Sequence, residues 1–316
     1  MNGRVVINGK GSGMRKLFSR MVDQKYLYLL VLPGIVWFII FCYIPMAGIL
    51  MSFEDYKLSK GIFGSNWVGL KYFTQFLTSY SFPTVIRNTL AISFLKIIFG
   101  FPAPIILAIM LNEVKNMVFR RTIQTVSYLP YFVSWVVVIG IWGRILSPEG
   151  GIINEILVSL KIVDMPLNFM LTSKYMWSIS VFTEIWKMIG WNSIIYLAAL
   201  SAINPELYEA AKIDGAGRFK QILHITIPGI FPTISVLFIL TMGGILTANF
   251  DQLYILGTPP VLDVTEVIDT YIYRFGLRGL QYSLGAAAGL MRSVIALFLV
   301  VITNKIVKML GQGGIW

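Results

Sequence analysis

One cysteine, Cys42, stands among 316 residues, so no disulfide can close within this chain and a thiolate metal centre has no ligand set. Histidine is equally scarce, because His224 has no His or Cys companion at metal-ligand spacing. Charged residues make up only 13% of the chain, against about 25% in an ordinary soluble protein. A phosphate loop of the form Gly-x-x-x-x-Gly-Lys-[Ser/Thr] is missing. The nearest approach, Gly9-Lys10-Gly11-Ser12-Gly13, lacks both the spacing and a preceding strand and reads as a flexible basic tail. No apolar run carries paired carboxylates, His-Glu-x-x-His or Gly-x-Ser-x-Gly, which disfavours an intramembrane enzyme.

What the chain has in excess is apolar surface: 56% hydrophobic residues, 14% aromatic, and a mean hydropathy of +0.74. One water-facing globule cannot bury that much, so the bilayer is the expected solvent. A crossing helix needs about 20 mostly apolar residues, and six windows qualify. They are 26–53, 88–112, 122–143, 175–200, 228–250 and 284–303, with Lys96, Glu184, Lys187 and Arg292 as their only charges. With the N-terminus inside, the inner segments hold 14 Lys or Arg and the outer ones six. That asymmetry places both termini in the cytoplasm and explains the net charge of +11 without nucleic acid. One membrane domain, 26–310, is therefore expected between a basic tail, 1–25, and a short tail, 311–316. The run after Lys25 reads as a retained anchor. Pro33, Pro45, Pro102, Pro104 and Pro130 are expected to bend spans.

The fourth and fifth windows are joined by residues 201–227. Asn204 suits an N-cap, Pro205 a first helical position, Glu206 the helix dipole and Gly215 a left-handed stop, which predicts a helix of about ten residues. A helix so short is marginal alone and must dock. Leu207, Ala210, Ala211 and Asp214 recur at helical spacing, which fits a partner protein or the chain's own bundle.

Glu209-Ala210-Ala211, then Gly215 and Ile225-Thr226-Ile227-Pro228, resemble the EAA motif of permease subunits of bacterial ABC importers. The longer form, Tyr208-Glu209-Ala210-Ala211-Lys212-Ile213-Asp214-Gly215-Ala216, resembles the sugar branch of the MalF type. Trp67-Val68-Gly69-Leu70, Asn88-Thr89-Leu90, Tyr128-Leu129-Pro130-Tyr131-Phe132, and Trp186 with Gly190 extend the likeness over roughly residues 26–310, nearest to the LplB-like oligosaccharide and polysaccharide permeases. Ile227, where Leu is usual, and Ile222, where Phe is frequent, keep the apolar character.

The resemblance implies an all-α polytopic fold of six spans in a bacterial cell membrane. It also implies a second homologous permease, two ATPase subunits that hold ATP and magnesium, and an external sugar-binding protein. Tyr208, Glu209, Ala210, Ala211, Asp214, Gly215, Ala216 and Pro228 would couple to the ATPase. This chain would itself hold no cofactor or metal. Candidates for the substrate pathway are the polar and aromatic residues of the spans and their ends: Glu184, Lys187, Trp191, Asn192, Asn249, Asp251, Tyr254 and Arg292. Each has a plainer reading. Glu184 and Lys187 suit a buried ion pair with each other, Asn249 a helix boundary, and Trp142 an interfacial belt. An importer for a non-sugar solute and an ion-driven transporter are the competing functions. No internal repeat favours the latter.

Overall fold

The computed structural model describes residues 24–311 and 313–315. Residues 1–23 of the expected basic tail, with Gln312 and Trp316, lie outside the described residues.

Among the described residues, four helices are long and apolar enough to cross a membrane: Lys25–Phe53, Phe82–Glu113, Arg218–Gly244 and Tyr282–Met309. They realise the first, second, fifth and sixth predicted spans. A fifth helix, Ser173–Ser201, has 29 residues but is less apolar, carrying Glu184, Lys187 and several hydroxyl side chains. It tolerates them because eleven of its residues are buried among other helices, where polar groups find partners that lipid cannot supply. The first span is its opposite. None of its most apolar stretch is buried, and only its far half, Ile44–Phe53, runs beside the last helix.

The third predicted span is not one helix. Met117–Phe132 and Trp135–Ile145 meet at 111°. Pro130 starts the last short turn before the break, Val133 is extended, and the Ser134 hydroxyl accepts from Val137 N–H to start the next helix. The fifth span also stops early, at Gly244 rather than Phe250, and the chain turns through a left-handed Asn249.

Three spans contain a widened, π-helical turn, at Ile39–Tyr43, Lys96–Gly100 and Ile222–Thr226. Each ends two residues before a proline, Pro45, Pro102 or Pro228. A proline ring collides with the carbonyl four residues earlier, and that carbonyl lies inside the widened turn in all three cases. The helix swells rather than breaks.

The segment between the fifth and sixth spans is more than a connecting loop. Short helices Phe250–Leu256, Leu262–Thr265 and Ile268–Tyr271 fold back into the bundle and bury Gln252, Leu253, Leu256, Val261, Val267 and Ile268. The second span anchors them. Asn88 Nδ2 donates to the carbonyls of Asp263 and Glu266 at 3.0 and 2.9 Å, and Thr89 Oγ1 accepts from Ile268 N–H. Gln252 reaches the fourth span, donating to Ser180 O and Thr183 Oγ1. Burial pushes the Glu266 carboxyl above its usual range, partly offset by Arg274 at 3.6 Å. Strand structure among the described residues is one antiparallel pair, Glu54–Asp55 with Asn66–Trp67, where Phe53 stacks on Trp67.

Candidate functional site

Two places concentrate polar chemistry that the bundle itself does not require. The first is the helix Pro205–Ile213. The Asn204 side chain accepts from Glu206 N–H at 3.0 Å, the cap the sequence predicts. At the other end Gly215 sits at φ +75°, and Ala216 N–H closes back on Ala211 O at 2.8 Å. Only a residue without a side chain takes that conformation freely.

This helix has two faces. Tyr208 and Ala211 are half-buried and turned inward, and the Tyr208 hydroxyl meets Thr226 Oγ1 at 3.0 Å. Ala216, also half-buried, accepts from Gln221 Nε2. Leu207, Glu209, Ala210 and Asp214 are exposed, as is Pro228 at the foot of the fifth span. Ala211 therefore parts from Leu207, Ala210 and Asp214, with which simple helical spacing groups it. The exposed face is unusually apolar for one that meets water, because Ile213 is 87% and Phe219 78% accessible.

The second place is a cavity of about 360 Å³ between the second, fourth and fifth spans. That volume falls in the usual range of small-molecule sites, about 300–1,000 Å³. Lys96, Phe101, Glu184, Asn192, Tyr196 and Thr241 are among its lining residues. Glu184 pairs with Lys96 across the spans at 2.5 Å. The sequence suggests Lys187, one turn along, as the partner instead. That pairing does not form, because Lys187 is drawn to the break in the third span. Its ammonium donates to the carbonyls of Pro130, Tyr131 and Val133 at 3.2, 2.7 and 2.5 Å. It also lies 5.6 Å from the ring centroids of Tyr131 and Trp135. Three N–H donors meet three carbonyls at the break, of which Pro130 O also accepts from Val133 N–H.

The remaining candidates scatter. Trp191 stacks on Tyr131 at 4.2 Å. Asn249 forms the left-handed turn before Phe250–Leu256. Asp251 is exposed, and Tyr254 packs between Phe250 and Tyr273 with Arg278 near its hydroxyl. Arg292 pairs with Asp269. Trp142, expected in an interfacial belt, packs edge-on against Phe182 and Trp186. Of the pathway candidates only Glu184 and Asn192 line the cavity. Lys96 belongs with them, and its being the only charge in the second window was the available signal.

Residues 100–313 match the family described as the inner membrane component of binding-protein-dependent transport systems. The chain is 41% identical over 302 residues to the polygalacturonan/rhamnogalacturonan transport system permease protein YteP of Bacillus subtilis, covering 96% of this chain and 94% of that one. It is 40% identical over 312 residues to protein LplB of the same organism, covering 99% and 96%. Among solved structures, a chain of a bacterial ABC transporter involved in the import of the acidic polysaccharide alginate superposes with a TM-score of 0.85. It shares 39% identity and covers 93% of this chain and 99% of that one. A chain of a bacterial alginate ABC transporter in complex with its pentasaccharide-bound periplasmic protein superposes with a TM-score of 0.87 at 38% identity. With the helical bundle, the bent third element and the capped loop helix in place, the chain belongs to the family of binding-protein-dependent ABC importer permeases and is a transport subunit, not an enzyme.

Proposed function

We propose that this permease subunit imports an oligosaccharide handed over by an external binding protein, driven by ATP hydrolysis in two partner ATPase subunits and working beside a second, similar permease. The observation that carries the coupling is the loop helix. A nine-residue helix, capped at both ends, exposes Leu207, Ala210 and Ile213, and its partner-free face needs a protein cleft. Glu209 offers that cleft a charge, and Gly215 sets the turn into Arg218–Gln221. The excess of Lys and Arg in the inner segments, 14 against six, supports a cytoplasmic position for this helix and for both termini. Relatives named for polygalacturonan/rhamnogalacturonan transport and for import of the acidic polysaccharide alginate support carbohydrate as cargo, and Glu184 and Asn192 stand on its route.

The test uses the complete transporter in proteoliposomes with its binding protein. Gly215→Pro is incompatible with φ +75°, because proline is fixed near φ −65°. The variant is expected to insert and assemble while substrate-stimulated ATP hydrolysis and uptake both fall at least tenfold. Unchanged hydrolysis and uptake overturn the coupling role.

A further inference from the structure

The Lys96–Glu184 pair differs from the other charges in the bundle. Lys187 has its three donors matched to three carbonyls, and Arg292 is held by Asp269 away from the cavity between the second, fourth and fifth spans. Lys96 has one partner among the described residues, Glu184 Oε2, and no carbonyl or hydroxyl completes its set of donors as three carbonyls do for Lys187. An ammonium has three donors, so capacity is left over for an acceptor that enters the cavity.

Three further observations point the same way. Both side chains line the cavity and keep some accessibility to it, 12% for Lys96 and 24% for Glu184. Lys96 opens the widened turn Lys96–Gly100 that Pro102 imposes, and such turns are frequent at functional sites. The apolar windows 88–112, 175–200 and 228–250, whose spans wall the cavity, carry two ammonium groups, Lys96 and Lys187, and one carboxylate, Glu184. A region of low dielectric with one more cation than anion attracts an anion.

We infer that Lys96 is a carboxylate receptor whose resting occupant is Glu184, and that the cavity selects uronic-acid saccharides by exchanging the Glu184 carboxylate for that of the sugar. No bond is made or broken in the exchange. Displaced Glu184 becomes an acceptor for sugar hydroxyls, with Asn192 about two turns further along the wall, while Phe101 and Tyr196 offer apolar faces to the ring. The exchange keeps Lys96 paired throughout, which avoids leaving a bare ammonium inside the membrane.

This inference rests on the carbohydrate reading above, and the experiment separates the two. Uptake of trigalacturonate and of its methyl ester is measured with the complete transporter and one binding protein, so that protein's own preference is common to every variant. A structural ion pair predicts that losing either partner does the same damage. Exchange predicts opposite signs. Lys96→Met is expected to raise the half-saturating trigalacturonate concentration at least tenfold. Glu184→Gln, which removes the competitor, is expected to lower it about threefold and to slow turnover. Lys96→Met with Glu184→Met, which removes both charges at similar volume, is expected to assemble normally and to lose at least tenfold in the acid-to-ester uptake ratio. Damage of the same sign from both single changes, or an unchanged ratio in the double variant, overturns the receptor. Failure of the unaltered transporter to move either saccharide overturns the carbohydrate reading and the receptor with it.

Discussion

Lys187 and Lys96 sit in neighbouring parts of one helical bundle, and the chain treats them in opposite ways. Around Lys187 everything is closed: three carbonyls face the ammonium, two aromatic rings flank it, and Gly190 lets the fourth span press against the third element. Around Lys96 the helix is widened, Glu184 is the one partner among the described residues and a cavity adjoins the pair. A charge inside a membrane protein is a fastener when its hydrogen-bonding capacity is exhausted by the fold. It is available for a ligand when that capacity is left over.

The contrast is sharpest under deletion of the fastener. Lys187→Met takes a donor from three carbonyls at the 111° junction, of which Pro130 O keeps the Val133 N–H. The expected loss is about 3 kcal/mol or more, read as a lowered melting temperature of the detergent-purified complex, with partial recovery in Lys187→Arg. Next in size is Gly190→Val. A Cβ at Gly190 would stand 2.1 Å from Ser127 O, a backbone atom that cannot move aside alone. Overpacking of this kind costs about 1–3 kcal/mol, and the same melting measurement should show it. Smallest is the Lys96→Met, Glu184→Met pair of changes. Exchange of a buried ion pair for apolar side chains is commonly neutral, so its melting temperature should match the parent's. A large fall there would make Lys96 a second fastener and dissolve the comparison.

Much of this was legible in the sequence where the signal is local. Span positions follow from charge-free windows, and the loop helix follows from Asn204, Pro205 and Gly215. What escaped depends on residues far apart in sequence. Pro130 announces a bend, but a bend of 111° is stable only because Lys187, 57 residues later, collects the freed carbonyls. Glu184 looks to Lys187 along its own helix, yet its partner is on another span. Residues 251–283 read as a loop because their buried stretches are too short to register as spans, although Val267, Ile268 and Tyr271 are as hidden as any core residue. The inward turn of Tyr208 and Ala211 was equally invisible, since periodicity groups residues by face without saying which face meets the bundle.

Asn88 holds the folded-back segment by the carbonyls of Asp263 and Glu266 and ignores their side chains. A clasp that grips main chain only is indifferent to the letters it grips. The clasp itself therefore sets no limit on the identity of those two residues, whose side chains answer to other partners, Ser173 for Asp263 and Arg274 for Glu266. A transporter that must suit a new cargo or a new delivery protein can then rewrite this stretch without first rebuilding its attachment.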